Sequence, residues 1–591
     1  MLKRFLNNHE KYIIYNTSFK RENVLITEKD IIDLIKLNGK ISYREIFQSF
    51  HSKPKRNKNK KISEIIRRLK KNKTIVSKGG FLSISEAGQN RNSGLPSEDY
   101  IEIADKHKIK INFTSHTLAE LYNMDLTIKD NDIKGRTDYR YQNAITIDGA
   151  DAKDLDDAVY IEQVPNGYRL FVHIADVSHY VKLDGQIDKE ALKRGTSVYL
   201  VDKVIPMLPK QLSNGICSLN EKVDRLCLTA VIELSKTGKM RKYKFNKGVI
   251  NVKKRYTYKE VSKVLETREF EIDEIHKPFY TMLKLMEKVA NLLTKDRFKK
   301  GSIDFDLDEL KIECDENSVP INVTLRDRSI SHKIIEEFML KANKAAARFL
   351  GKQGNSIFRI HELPDEEKMK SFLEFLKKIN FRIKDKEKIR GSELQKILEK
   401  VKGTKNSGIV NVLLLRSMKQ AVYHTENIGH FGLGFKDYTH FTSPIRRYPD
   451  LMVHRLIKTK LKDGKKIKKL ESKPFLSRIA LKSSKLERVA MEAERDIVKI
   501  KCARFLEKMK GEIFQASVSG LTEFGVFVKI SPYGIEGLIR IRDLNGYFTF
   551  DEDNYVLRGD RGISYHLGDK VKVKLINVSV RKGFIDFKIA D

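Results

Sequence analysis

Residues 144–159 have the sequence Ala144-Ile145-Thr146-Ile147-Asp148-Gly149-Ala150-Asp151-Ala152-Lys153-Asp154-Leu155-Asp156-Asp157-Ala158-Val159. Five carboxylates fall within ten residues, and like charges this close repel one another unless something cationic neutralises them. The apolar residues on both sides of the acidic run are typical of β-strands, and the first strand has the continuous apolar character that suits burial. The sequence therefore predicts an acidic loop held between two rigid strands.

A divalent metal ion is the cation that best fits this loop. Mg²⁺ takes oxygen ligands, keeps several waters and completes its shell with phosphate oxygens of a substrate, and Mn²⁺ could replace it. Two alternatives compete with a metal site: a solvated acidic turn, which an isolated acidic run usually is, and an EF-hand calcium loop. The calcium loop fits poorly, because counting from Asp151 puts Lys153 and Leu155 at ligand positions and Asp156 where that loop needs glycine.

The bulk composition favours a nucleic-acid partner. The chain has 591 residues, enough for several domains, and a formal net charge of +36, which is typical of proteins that hold a polyanion. A biased genome composition could also produce such an excess of lysine. The four cysteines are widely spaced, so neither a disulfide framework nor a zinc site is indicated. The sequence shows no signal peptide and no apolar stretch of membrane-spanning length, so we expect a cytoplasmic protein with no membrane partner.

Residues 1–85 favour three helices followed by two short strands. The run Ser42-Tyr43-Arg44-Glu45 is a capping box that opens the second helix, and the third helix is predicted at 62–69. With strands near 75–84, this pattern indicates a winged helix-turn-helix. The basic run 53–61 suits phosphate contact, although a solvated basic loop is an equal alternative.

The rest of the chain divides into three further segments, and the prediction is a multidomain α+β protein. Residues 86–140 are predicted to be a linker or a reduced RNA-binding region with a helix near 118–122. Residues 141–506 alternate strand-like and helix-like patterns, which indicates one large α/β catalytic domain. Residues 507–591 contain five short strands with glycines at the bends, which describes an OB-type barrel.

Aromatic and basic residues of the predicted barrel are candidates for RNA contact. The aromatic rings could stack on bases while the cations follow the backbone, although any one ring could instead fill the barrel core. These candidates are Phe524, Phe527, Tyr547 and Phe548, with Lys529, Arg540, Arg542 and Lys572.

A second cluster with chemical character lies at 439–450, where two prolines stiffen a segment that carries Arg446 and Arg447. A guanidinium presents a planar fork of donors that suits a phosphate. Both arginines need not face the same cavity, so one of them is expected to make a structural ion pair with a core acid.

The acidic loop and an arginine together indicate metal-assisted phosphodiester hydrolysis. Two cations roughly 3.5–4 Å apart could activate a water and stabilise the departing 3′ oxygen, while an arginine offsets transition-state charge. The sequence offers no Ser/His/Asp or Cys/His nucleophile arrangement and no G-x-x-x-x-G-K-[ST] loop. Water is therefore the expected nucleophile, and no nucleotide cofactor is expected.

Several motifs in one order resemble the catalytic domain of the ribonuclease II and ribonuclease R family. The resemblance covers roughly 115–591 and includes the S1 domain that ends these enzymes. The motifs are Thr146–Val159, Val172-His173-Ile174-Ala175-Asp176-Val177-Ser178-His179-Tyr180-Val181, Arg194-Gly195-Thr196-Ser197-Val198-Tyr199, Ile205-Pro206-Met207-Leu208-Pro209, Leu212-Ser213-Asn214-Gly215 and His440–Tyr448.

The resemblance implies a processive 3′-to-5′ hydrolytic exoribonuclease that releases nucleoside 5′-monophosphates from single-stranded and 3′-overhang RNA. It also implies a monomer and an association with ribosomes or the RNA-decay machinery. Tyr258 is similar to the tyrosine that packs on the terminal base, although Tyr256 is an open alternative, and Arg447 joins the candidate RNA contacts. By motif, Asp148, Asp154, Asp156 and Asp157 match the metal-site aspartates, and Arg446 matches the active-site arginine.

The chain also departs from this family. The N-terminal segment points to the ribonuclease R branch, but residues 77–140 are too short for the two cold-shock barrels that normally precede the catalytic domain. RNA affinity is therefore expected to depend more on phosphate charge and to decline steeply with salt. A non-catalytic RNA-binding regulator and a winged-helix DNA-binding protein are the competing functions.

Overall fold

The protein is described by a computed structural model with two compact units, 1–99 with 114–119, and 100–113 with 120–591. From residue 95 onward, the structure describes residues 95–590 except for 306–308, 353, 380, 382–388, 405, 462–466 and 553. The described residues before that point are 28, 31–32, 34–35, 41–43, 45–46, 56–71, 74–78 and 81–84.

The N-terminal unit contains a helix and a small antiparallel sheet. Its described elements are β1 (Ile41–Ser42), α1 (Arg56–Lys71), β2 (Ile75–Lys78) and β3 (Phe81–Ile84), with strand order β1-β3-β2. The capping box is present, since the Ser42 hydroxyl accepts from the Glu45 N–H at 3.2 Å. The predicted third helix is longer than expected. The winged-helix assignment stays a prediction, and residues 53–55 of the basic run lie outside the described residues.

Short helices occupy the stretch before the catalytic domain. They are α2 (Asp99–Lys106), α3 (Ser115–Tyr122) and α4 (Asp130–Ile133), preceded by a 3-10 turn at Pro96–Glu98. The helix predicted near 118–122 is confirmed as α3. Between 95 and 140 the only described strand is β4 (Thr137–Asp138).

A seven-stranded sheet forms the centre of the second unit. Its other strands are β5 (Ile145–Asp148), β6 (Asp157–Val164), β7 (Gly167–Ala175), β10 (Asp224–Ser235), β11 (Met240–Asn251) and β12 (Lys254–Thr257), in the order β12-β5-β6-β7-β10-β11-β4. Strands β8 (Val198–Leu200) and β9 (Lys203–Ile205) form a separate pair. The predicted strands on both sides of the acidic run are confirmed as β5 and β6.

Helices cover this sheet and continue the chain to the C-terminal barrel. Two long helices, α8 (Lys277–Lys299) and α9 (Ile330–Gly351), pack on strands β6, β7 and β10. The helices are α5 (Val177–Tyr180), α6 (Gln186–Arg194), α7 (Tyr258–Glu266), α8 (Lys277–Lys299), α9 (Ile330–Gly351), α10 (Glu366–Lys378), α11 (Gly391–Val401), α12 (Ser407–Ser417), α13 (Tyr448–Lys460) and α14 (Lys473–Glu507), with a π-helical segment at Gln211–Ile216. Two antiparallel strand pairs accompany them, β13 (Leu310–Cys314) with β14 (Pro320–Leu325), and β15 (Phe358–Ile360) with β16 (Val422–His424).

The C-terminal segment is a closed five-stranded barrel, as predicted. Its strands are β17 (Ile513–Thr522), β18 (Gly525–Ile530), β19 (Glu536–Arg540), β23 (Lys570–Ser579) and β24 (Phe584–Ile589). A three-stranded sheet that the sequence did not predict is inserted, with β20 (Phe548–Asp551), β21 (Val556–Gly559) and β22 (Ser564–His566). Gly525 has φ of +150°, and a Cβ at this position would lie 2.1 Å from the Ile539 carbonyl oxygen of the neighbouring strand, so only glycine fits.

The barrel shares one hydrophobic core with part of the catalytic region. Barrel residues such as Val528 and Phe587 belong to the same buried cluster as Phe372 of α10 and Leu394 of α11. No described helix is both long and apolar enough to cross a membrane.

Candidate active site

The acidic loop 149–156 connects the end of β5 to the start of β6 and is fixed from two sides. The Arg255 guanidinium donates to three carbonyl oxygens of the loop at 2.7–3.4 Å. The Ser218 hydroxyl accepts from the Leu155 N–H at 3.0 Å and donates to the Lys153 carbonyl at 2.9 Å. Because its backbone is hydrogen-bonded to other elements, this loop is a rigid support for its carboxylates rather than a solvated turn.

The four motif aspartates lie around this loop with different exposure. Asp148 ends β5 and Asp157 begins β6, and both are half-buried, as is Asp154. Asp156 is buried, with 5% of its surface exposed, and its Oδ1 accepts from the Ile445 N–H at 2.8 Å. The structure thus joins the acidic loop to the arginine segment directly.

Burial makes these carboxylates hard to ionise. Burial, with a further contribution from the negative charge of Asp154, raises the pKa of Asp148 to about 6. Burial and the negative charge of Asp148 raise the pKa of Asp157 to about 8. Burial also raises the pKa of Asp156 well above its usual range, against the opposing charge of Arg446. A cation near these groups would favour their charged forms, which is the electrostatic signature of a site built for a positive ion.

The Arg446 side chain faces the acidic loop. Its Nε lies 3.5 Å from Asp156 Oδ2, and its Nη2 donates to the Ser443 hydroxyl at 2.9 Å. The Arg446 side chain remains 41% exposed, and the hydrogen bond to Ser443 occupies only one of its donor groups, so donors are left for a ligand. Arg446 is therefore placed to bind an anion that also approaches the carboxylates.

The motif at 194–199 explains how the arginine segment is held. The Ser197 N–H and the Thr196 hydroxyl both donate to the Arg446 carbonyl, at 2.9 and 3.0 Å. The Tyr448 N–H donates to the Gly195 carbonyl at 2.9 Å. Two motifs that are remote in sequence thus form one supporting unit.

Arg447 has a different surrounding from its neighbour. Its Nη2 donates to Asp450 Oδ1 at 2.7 Å, and the Asp450 carboxylate is fully buried. This is the structural ion pair that the sequence analysis expected of one of the two arginines. Of the two, Arg446 is the one that faces the acidic loop.

The structure also separates Tyr256 from Tyr258. Tyr256 is completely buried and its hydroxyl lies 3.0 Å from His276 Nδ1, so its ring is not available to a ligand. Tyr258 is half-buried, and the charges of Asp148 and Asp157 act on it to raise its pKa further than burial alone. Tyr258 therefore lies beside the carboxylates and is the better candidate for a base contact.

Two site residues had no assigned role in the sequence analysis. The Tyr199 hydroxyl donates to Asp154 Oδ2 at 3.3 Å, and Arg255 holds the acidic loop. Tyr199 is the last residue of the motif 194–199, so its position in that motif was a signal of function. For Arg255 the only signal was its position next to Tyr256, one of the two candidate tyrosines.

The barrel candidates fall into two groups. Phe527 and Lys529 share the outer side of β18, and Phe524, 57% exposed, meets Phe527 edge-on with ring centroids 5.9 Å apart. Tyr547 is also exposed, at 75%. Phe548 is buried in the core, so of the two alternatives left open for this ring the core role applies and base stacking does not.

The oxygens of this site fit a hard divalent cation. Asp148 Oδ2 and Asp156 Oδ2 are buried and take part in no hydrogen bond. Among the described residues, no three or more His, Cys, Asp or Glu side chains form a ready-made metal cage. Mg²⁺ does not need one, because it is usually held by one or two carboxylates together with substrate phosphates and water.

Comparisons with known proteins identify the domain families to which this chain is similar. The RNB domain family matches residues 136–463, and the S1 RNA binding domain family matches residues 507–590. Ribonuclease R of Thermotoga maritima is 42% identical over 509 residues, which cover 84% of this chain and 71% of that protein. Ribonuclease R 1 of Lactococcus lactis subsp. lactis is 40% identical over 510 residues, covering 85% and 61%. The chain thus spans only part of the length of these curated relatives.

A solved structure shows the same architecture. Mycoplasma genitalium RNase R in complex with ribose methylated single-stranded RNA has a TM-score of 0.79 and 29% identity, and the match covers 86% of this chain and 80% of that one. The family resemblance predicted from the motifs is confirmed by the domain matches and by these relatives. The chain therefore belongs to the ribonuclease R family of RNB-domain exoribonucleases.

Proposed function

We propose that this chain hydrolyses RNA from its 3′ end, one nucleotide at a time, and releases nucleoside 5′-monophosphates processively. Membership in a family of exoribonucleases supports the reaction class. The observation that carries the proposal is the 2.8 Å hydrogen bond from the Ile445 N–H to Asp156, which joins two segments 289 residues apart. It supports the proposal because it brings Arg446 close to the carboxylates of the acidic loop, where a phosphodiester would bind.

The residues that would hold Mg²⁺, with Mn²⁺ as a substitute, are Asp148, Asp154, Asp156 and Asp157. Bound there, the metal would supply Lewis-acid polarisation of the phosphate and a more acidic water. Asp148 and Asp156 offer the two buried oxygens that accept no hydrogen bond. Burial favours the protonated form of these carboxylates, whereas a metal binds the deprotonated form. Metal binding is therefore coupled to the release of protons.

The surrounding side chains would position the RNA end. Arg446 would offset the charge that develops on the phosphate oxygens, because its exposed guanidinium lies next to Asp156. Tyr199 would orient the Asp154 carboxylate through its 3.3 Å hydrogen bond. Tyr258 would stack on the terminal base, which is a sequence-tolerant contact because every base has a π-face.

The barrel would bind the strand before it reaches the carboxylates. Phe524 and Phe527 present rings on the barrel surface, and Lys529 lies on the same side of β18 as Phe527. Aromatic stacking with nearby cations is the usual means by which OB-type barrels hold single strands. We include Arg447 in the site only as the residue that anchors the arginine segment through Asp450.

A non-catalytic RNA-binding protein built from the same modules is the alternative function. Such a protein would be expected to lack part of the acidic set or the arginine. Here all four motif aspartates and Arg446 are present, and Arg446 lies 3.5 Å from Asp156. A monomeric state, a cytoplasmic location and an association with ribosomes or RNA-decay proteins remain part of the proposal.

Without divalent metal, the stability of the chain is expected to fall as the pH rises from about 5 to 8. The native pKa values of Asp148 and Asp157, about 6 and about 8, exceed the ordinary value of 3.8, so the native state binds more protons across this window. Mg²⁺ should raise Tm by roughly 3 °C or more at pH 8 and by less at pH 5. Thermal melts with Mg²⁺ or EDTA measure this difference.

The matched control for these melts is Asp157→Asn. In this variant, the rise in Tm that Mg²⁺ causes should differ less between pH 5 and pH 8 than it does in wild type. If Mg²⁺ raised Tm by the same amount at both pH values, in wild type and in the variant, this result would argue against a metal site at these carboxylates.

A duplex RNA with a 3′ overhang is expected to be degraded to mononucleotides, whereas a 3′-blunt duplex of the same sequence should be degraded far more slowly. Asp156 is buried, with 5% of its surface exposed, and a single strand is narrower than a duplex, so we expect only an unpaired end to bring its phosphate to this carboxylate. Product sizing on a denaturing gel, with Mg²⁺ and with EDTA, measures both claims. Equal cleavage of the two duplexes, or cleavage in EDTA, would contradict the proposal.

A further inference from the structure

A second aromatic ring lies directly behind Tyr258. The rings of Tyr258 and His332 are stacked, with centroids 3.9 Å apart and an angle of 13° between their planes. Inserting a base between two rings needs a separation of about 7 Å, since each stacked contact takes about 3.5 Å. A base can therefore reach Tyr258 only at the face or edge turned away from His332.

The backbone around Tyr258 is also tied to the helix that carries His332. Tyr258 is the first residue of α7 and follows β12, whose last residue, Thr257, pairs with Asp148 at the end of β5. The hydroxyl of Ser331, in the first turn of α9, donates to the Tyr258 carbonyl at 2.8 Å. The first turn of α9 thus contacts both the main chain and the ring of Tyr258.

The His332 ring is itself held in place. Its Nδ1 lies 2.8 Å from the Ser329 hydroxyl, which limits rotation of the imidazole. Burial lowers the pKa of His332, and the positive charges of Arg326 and Arg328 lower it further against the opposing charge of Asp327. At neutral pH the imidazole is therefore uncharged and presents a flat aromatic face to Tyr258.

We propose that His332 is a positioning residue that fixes the Tyr258 ring at the angle at which the terminal base of the RNA stacks on it. This inference rests on the proposed function, because it needs Tyr258 to contact the base. Two rings stacked in advance lose less side-chain freedom when the RNA binds, so the base contact contributes more to affinity. His332 itself touches neither the phosphate nor the metal ligands in this scheme.

The test compares three substitutions in the full chain on a single-stranded RNA. His332→Ala removes the stacked ring and should raise KM by about 3- to 10-fold with little change in kcat. His332→Phe keeps a flat aromatic ring and should restore a KM near that of wild type. His332→Leu fills similar space without a π-face and should leave KM raised.

Thermal melts of all three variants separate a folding defect from a loss of positioning. A double-mutant cycle with Tyr258→Ala adds a second measurement, and His332→Ala should have little further effect on KM in that background. A KM that stays at the wild-type value in His332→Ala, or that His332→Leu restores as well as His332→Phe, would overturn the inference. Failure of the wild-type chain to hydrolyse RNA would instead overturn the proposed function.

Discussion

The Asp156→Asn variant is expected to hydrolyse RNA about 10³-fold more slowly than wild type, or not measurably, while it still binds RNA. Asp156 is the one buried carboxylate of the four motif aspartates, and its Oδ2 is free of hydrogen bonds. Asparagine removes the negative charge that would hold a cation there. The asparagine amide oxygen can still accept from the Ile445 N–H, so the hydrogen bond between the acidic loop and the arginine segment is kept.

Single-turnover cleavage and filter binding on the same RNA separate the two effects. Asp151→Asn is the matched control, because Asp151 is an exposed residue of the same loop and undergoes the same chemical change. It should cleave at close to the wild-type rate. Cleavage by purified Asp156→Asn at the wild-type rate would show that this loop is not the metal site, and so would an equal loss in Asp151→Asn.

The parts of the fold that depend on local pattern could be predicted from the sequence. The apolar run 144–147 predicted β5, and the apolar residues after Asp157 predicted β6. The short strands with glycines at the bends predicted the barrel. The three-stranded insert at 548–566 was not predicted, because its strands are only three or four residues long, too short to give a clear pattern.

The choice between Tyr256 and Tyr258 shows what local pattern could not decide. Residues two apart on a strand share a face, so a continuous strand would have given both rings the same surroundings. The strand ends at Thr257, whose hydroxyl accepts from the Glu260 N–H and starts a helix. This change of direction leaves Tyr256 in the core and takes Tyr258 to the carboxylates, and only the three-dimensional structure shows it.

The roles of Arg446 and of Tyr199 depended on contacts between distant segments. Arg447 forms an ion pair with the buried Asp450, which lies only three residues further on, whereas Arg446 lies beside Asp156, in a remote segment of the chain. Tyr199 reaches Asp154, 45 residues away, across the site. Pairings over such separations follow from tertiary packing, which neither spacing nor residue type reveals.

Arg446→Ala is expected to lower kcat by about 10²- to 10³-fold with a smaller change in KM, because the lost interaction is strongest with the charge of the transition state. Arg446→Lys should recover only part of this loss, since an ammonium group lacks the planar fork that can contact a phosphate and Ser443 together. Steady-state hydrolysis of a single-stranded RNA measures both variants.

Arg268→Ala is the matched control, because this exposed arginine lies outside the site and the same charge is lost. If loss of positive charge alone weakened RNA binding, both alanine variants would raise KM alike and leave kcat unchanged. The geometry argues for the other result, because Arg446 lies 3.5 Å from the carboxylate of Asp156 and its backbone is held by the 194–199 motif. A cation fixed so firmly beside buried carboxylates acts at one point of the RNA, the phosphodiester that is cleaved.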